Sequence, residues 1–266
     1  MSVKYDRIPL DNTYMEYIRF GRGKKYLVML PGLGESLRSL KGTSHIMALL
    51  YRIFTREYTV FLFSRRKHIP DGFTTRDMAA DQKRAMDHLG IPAADVFGVS
   101  MGGMIAQHLA ADYPERVGKL VLTVTSCQPN PTLARAVTEW MDFAEQDDHA
   151  GLMASNLELI YSPAYRRRNK GFLPLVSALT KPPSYEFFLR QSRACLNHNS
   201  FDRLPQIRAA TLVVGGEQDK VADPAQSHLI AKYIPGARLL MYPQWGHGLY
   251  DEEKNFNKTV LAFLTE

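Results

Sequence analysis

Ala94-Asp95-Val96-Phe97-Gly98-Val99-Ser100-Met101-Gly102-Gly103-Met104-Ile105-Ala106-Gln107-His108-Leu109-Ala110-Ala111-Asp112-Tyr113 reads as a short apolar strand that breaks at Gly98 and becomes a helix at once. Gly98-Val99-Ser100-Met101-Gly102 has the form Gly-x-Ser-x-Gly, a turn that lifts a serine hydroxyl above the end of a sheet. So tight a turn leaves little room for side chains two residues before and after the serine, which suits Gly98 and Gly102. Met101 opens the helix, so its backbone N–H is free to face developing negative charge. The flanking strand and helix distinguish this pattern from a chance match in a loop rich in glycine and serine.

Strand-like runs begin on the N-terminal side, at 3–9 and 13–21, and predict an antiparallel pair turned at Asp11-Asn12. A buried strand follows at 26–30. Helical spacing over 44–54, a β-rich run at 58–63 and a 3.6 period over 75–89 lead to the elbow strand at 96–99. Its helix stops near Pro114, and 117–124 reads as another buried strand. Such alternation predicts a mostly parallel sheet covered on both faces.

The rhythm fails over 127–203, which holds helical patterns at 133–146, 152–161 and 185–196 between proline-rich joints at Pro129, Pro131, Pro163, Pro174, Pro182 and Pro183. Alternation then resumes with a strand at 211–214, a helix at 224–234, a strand at 238–242 and a helix at 254–264. The expected organisation is a core of residues 1–126 and 204–266, with 127–203 inserted as a helical cap.

The composition fits one sizeable core: 266 residues, 45% hydrophobic and 11% aromatic. A net charge of +6 is spread over short basic clusters at Arg22–Lys25, Arg65–Lys67 and Arg166–Lys170. They are not interleaved with aromatics, so nucleic-acid binding is not expected. No apolar run is long enough for a membrane span, and the first residues lack the apolar stretch of a secretory signal. Cys127 and Cys195 fit no metal or redox spacing. A cytoplasmic protein with reduced thiols and no cofactor is the expectation.

A serine hydroxyl needs a base within hydrogen-bond reach, and a histidine needs a carboxylate to orient it. Both should lie on loops that follow later strands. Asp219 follows the strand at 211–214, and His247 follows the last strand between Gly246 and Gly248. Asp219 competes with Glu217 and Asp223, although Asp223 precedes Pro224 and suits a helix N-cap. Seven other histidines are present, and only position singles out His247.

Pro31-Gly32-Leu33-Gly34, Gly98–Gly103, Gly215–Asp219 and Gly246-His247-Gly248 occur in order, and with them the chain resembles the α/β-hydrolase superfamily over essentially its whole length. The resemblance implies an eight-stranded, mostly parallel sheet flanked by helices, with the helical cap between strands 6 and 7. It implies Ser100 as nucleophile, Asp219 as acid and His247 as base, with Leu33 and Met101 N–H groups as oxyanion donors. Pro31 replaces a histidine common among relatives, a small change for a loop that donates through its main chain. Phe63-Ser64-Arg65-Arg66-Lys67-His68 lacks the Asp-x-Arg-Gly-x-Gly pattern often found there. The implied substrate is a small or medium ester, thioester or lactone with an apolar acyl group. Carbon–carbon hydrolysis, acyl transfer, perhydrolysis and slow-turnover ligand reception share the triad. Trp140, Met141, Phe143, Met153, Phe187 and Phe188 could line the acyl pocket, or could serve the cap's own packing.

Overall fold

The computed structural model describes residues 2–37, 40–169 and 181–266. Strands β1 (Val3–Leu10) and β2 (Thr13–Phe20) form the expected antiparallel pair. Asp11 turns it with a φ of 50°, a left-handed conformation that aspartate tolerates better than most residues. Next come β3 (Lys25–Leu30), β4 (Tyr58–Arg66), β5 (Ala94–Val99), β6 (Val117–Thr123), β7 (Ala210–Gly216) and β8 (Arg238–Tyr242). The eight strands lie in the order β1-β2-β4-β3-β5-β6-β7-β8. From β4 to β8 every neighbouring pair is parallel, and β2 meets β4 antiparallel.

The central strands are mostly apolar because both faces are covered. Val28, Leu30, Phe61 and Phe63 enter one buried cluster, while their neighbours Leu27, Met29, Val60 and Leu62 enter the other. On the first face lie α2 (Thr75–His88) and α3 (Met101–Asp112), both in contact with the strands. The start of α2 carries a reciprocal capping box between Thr74 and Asp77. The second face takes up residues of α1 (Leu40–Leu50) and of a C-terminal helix, Phe256–Thr265.

Helix α1 starts and ends four residues before the expected 44–54. The apolar period read across Phe54 belongs instead to a separate 3-10 turn, Arg52–Arg56, in which Phe54 is fully buried. Between β6 and β7 the chain leaves the sheet and forms α4 (Pro131–Glu145), α5 (His149–Ile160), α6 (Pro163–Asn169) and α7 (Glu186–Leu196). Sequence periodicity missed α6, whose seven residues include none that is buried. The joint at Pro174 lies outside the described residues. Two helices follow β7 and β8: α8 (Pro224–Tyr233) and α9 (Leu249–Glu252), and the C-terminal Phe256–Thr265 is α10.

Strand β3 lies between β4 and β5, so the connections leaving β3 and β5 diverge. Open sheets bind ligands in the crevice outside the carboxyl ends of strands at such a switch point. Pro31 and Ser100 are the first residues beyond those two strands.

Candidate active site

Ser100 joins β5 to α3 with φ 53° and ψ −121°. A non-glycine residue held there costs on the order of 1–3 kcal/mol and persists only when its surroundings over-determine it. Here they do. The Ser100 N–H donates to Thr123 O at 2.9 Å. Its carbonyl accepts from Gly103 N (2.8 Å), Met104 N (3.2 Å) and the Thr125 hydroxyl (2.8 Å). A Cβ at residue 102 would lie 1.9 Å from Leu30 O, and one at residue 98 would lie 2.6 Å from Gly102 O. Those clashes with backbone explain both glycines. Ser100 keeps partial exposure, whereas its neighbours on both sides are buried.

The loops after β7 and β8 converge on the same point. His247 Nε2 is 3.0 Å from Ser100 Oγ, and His247 Nδ1 is 2.9 Å from Asp219 Oδ2. A carboxylate only accepts, so Nδ1 carries the proton and Nε2 is left to accept from the serine hydroxyl. Asp219 Oδ1 accepts from the backbone N–H groups of Val221 (2.8 Å) and Ala222 (2.9 Å), which fixes the carboxylate plane. Both Asp219 and His247 are buried. The competing acids are engaged elsewhere. Asp223 caps α8 through Ala225 N at 3.0 Å and accepts from the Thr132 hydroxyl. Glu217 pairs with His228 at 3.6 Å.

The histidine loop is also tied to the end of α5. Gly248 N donates to Ile160 O at 2.7 Å, and a Cβ at 248 would strike that carbonyl and the Tyr161 ring. Tyr161 Oη donates to Asp251 at 2.8 Å, while Ser162 donates to Glu252 through its N–H (3.0 Å) and its hydroxyl.

Leu33 opens a 3-10 turn (Leu33–Leu37) and Met101 opens α3. Helical geometry supplies no internal acceptor for such first-turn N–H groups. A Cβ on Gly32 would lie 3.3 Å from Ser100 Cβ, so the turn carrying Leu33 rests directly against the serine.

Sequence reasoning did not single out Thr125, Glu35 or Arg65. Thr125 steadies the elbow as described. The Arg65 side chain is 1% exposed and donates to Pro31 O and, at 3.4 Å, to Glu35 Oε2. Burial raises the Glu35 pKa and lowers that of Arg65. Arg66, beside it, makes a two-pronged pair with Asp81 at 2.6 and 2.7 Å. The stretch Phe63–His68, without the pattern's aspartate and glycines, thus carries two buried arginines.

Trp140 packs between helices, its indole donating to the Ser155 hydroxyl at 3.1 Å, and Phe188 is likewise buried. Met141, Phe143, Met153 and Phe187 are half-buried, and the Lys67 ammonium sits 4.9 Å from the centre of the Phe187 ring. Among the described residues no group of three His, Cys, Asp or Glu side chains is placed to hold a metal ion, and no helix is long and apolar enough to cross a membrane.

A family model described as the alpha/beta hydrolase fold matches residues 25–152, and a second, described as TAP-like protein, matches 195–266. The chain belongs to the α/β-hydrolase superfamily. This α/β-hydrolase is 30% identical over 270 residues to the polyketide synthase ThaQ of Burkholderia thailandensis; the match covers 94% of this chain but 12% of that protein. It is 26% identical to a 2-hydroxy-6-oxononadienedioate/2-hydroxy-6-oxononatrienedioate hydrolase of a Pseudomonas species, over 92% of this chain and 89% of the relative. Its fold matches the crystal structure of the enol-lactonase from Burkholderia xenovorans LB400 with a TM-score of 0.83, at 23% identity and covering 98% and 100% of the two chains.

Proposed function

We propose that this α/β-hydrolase cleaves a small or medium ester, thioester or lactone through an acyl-enzyme on Ser100. The observation that carries the reading is the unbroken line from Ser100 Oγ to His247 Nε2 and from Nδ1 to the Asp219 carboxylate. In the proposed cycle His247 accepts the serine proton as Oγ attacks the acyl carbon. Asp219 holds the ring and stabilises the imidazolium. The N–H groups of Leu33 and Met101 receive the oxyanion, each worth about 3–4 kcal/mol in comparable sites. His247 then returns its proton to the leaving group and activates water to release the acid.

The same reading makes 127–203 a cap over the site. Its acyl-facing surface is assigned to Met141, Phe143, Met153 and Phe187, backed by Trp140 and Phe188. Carbon–carbon hydrolysis is the second reading, supported by the Pseudomonas relative.

A panel of p-nitrophenyl esters from acetate to octanoate tests the proposal. Turnover that rises with an apolar acyl chain and disappears in Ser100→Ala is the expected result, with a fluorophosphonate probe labelling Ser100. Turnover that survives Ser100→Ala would overturn it. A β-diketone cleaved faster than every ester would move the assignment to the second reading.

A further inference from the structure

Arg65 is among the largest side chains in the molecule with almost no exposure. Removing a guanidinium from water costs several kcal/mol unless its partners are well placed. Its partners are few and specific. One NH2 group donates to Pro31 O, and the other meets Glu35 Oε2 at 3.4 Å. Glu35 Oε1 in turn accepts from Ser64 Oγ at 2.7 Å. Pro31 and Glu35 bracket Gly32 and Leu33, so one cation at the end of β4 grips both sides of the turn that touches Ser100.

The consequence follows from peptide geometry. Glu35 also donates its N–H to the Gly32 carbonyl at 3.3 Å, and that carbonyl and the Leu33 N–H share one plane and point in opposite directions. Holding Pro31 O on one side of Gly32 and Glu35 on the other therefore sets the direction of the Leu33 N–H. A flip of the Gly32–Leu33 peptide would exchange the Leu33 N–H for the Gly32 carbonyl oxygen, which repels a developing oxyanion. Glycine at 32 leaves the backbone free enough to flip, so an external restraint is needed.

We infer that Arg65, with Glu35 as its counter-ion, is a positioning residue that holds the Pro31–Leu33 turn in its oxyanion-binding conformation. The inference rests on the serine-hydrolase reading above. Helix α7 packs on the 3-10 turn as well, which places the network beneath the cap.

The test uses the full chain with Arg65→Met, Arg65→Gln and Glu35→Gln. Each is assayed with p-nitrophenyl butyrate and with a trifluoromethyl ketone, whose hemiketal oxygen mimics the oxyanion. Arg65→Met is expected to lower kcat by about 10- to 100-fold, less than or equal to the loss of a whole donor. KM should stay within about threefold, and ketone affinity should weaken in step with kcat. Arg65→Gln, which keeps a donor for Pro31 O, should lose less. If Arg65→Met does not fold, the milder variants decide through the same split between kcat and KM. Unchanged kcat in folded Arg65 variants, or ketone affinity that does not follow kcat, overturns the inference. Activity persisting in Ser100→Ala would instead sink the underlying reading, so the two failures are distinct.

Discussion

Two aspartates four residues apart carry opposite expectations. Among the described residues the Asp219 carboxylate hydrogen-bonds His247 and its own loop's N–H groups, whereas Asp223 caps a helix and holds Thr132. Asp219→Asn should lower kcat by about 10⁴-fold with little change in folding, because the wrong tautomer would face Ser100. Asp223→Ala should leave kcat intact and remove about 1 kcal/mol of capping energy. For a chain of this size that corresponds to a fall in Tm of about 2–4 °C. Steady-state kinetics and thermal melts on both variants check this, and an inactive but stable Asp223→Ala protein would contradict it. The assignment of Asp223 to a cap was legible from Asp223-Pro224, since proline favours the first helical position and aspartate the position before it. The orientation of Asp219 by Val221 and Ala222 was not legible, because it depends on the curl of the loop.

At the scale of elements, the hydrolase couples its histidine loop to α5 through three consecutive residues. Ile160, Tyr161 and Ser162 hold Gly248, Asp251 and Glu252 respectively. Glu252 accepts both donors of Ser162, so Glu252→Ala strands a partly buried N–H and a hydroxyl. Each unpaired group costs about 1–3 kcal/mol. The expected outcome is faster amide exchange across 149–162 and across 246–252 together, with a several-fold loss of kcat. Hydrogen-exchange mass spectrometry resolves the two segments, and exchange that rises in one alone would show that they are not linked. Strand boundaries were readable here because apolar runs coincide with buried strands. Helix α1 was displaced because Phe54 continues the apolar spacing while the backbone tightens into a 3-10 turn.

At the scale of the whole molecule, a buried histidine pair makes stability depend on pH just below neutrality. The His108 and His198 rings lie 5.2 Å apart, edge to face. Burial lowers the His108 pKa to about 4 and takes His198 well below its ordinary value, with His108 adding to the effect. Folded chains therefore keep both rings neutral while unfolded chains take up protons below about pH 6.5. Stability is full above that pH and is lost as pH falls toward the folded values. His108 alone accounts for about 3 kcal/mol of that loss. Urea midpoints should drop between about pH 7 and about pH 5, and His108→Gln should flatten the drop. A midpoint that holds constant over that range would refute the account.

The amino-acid sequence by itself determined the order of the eight strands along the chain, the elbow around Ser100, and the position of His247 after the last strand. Those features are written in local periodicity and in glycines whose neighbours leave no room for a side chain. Tertiary structure alone decided which acid faces His247, that Arg65 grips Pro31, and that the end of α5 is tied to the histidine loop. Each of these joins residues from separate strands or loops, such as Arg65 with Pro31 or His247 with Asp219. Only the assembly of the sheet brings those ends within hydrogen-bond distance, and no local pattern encodes that distance.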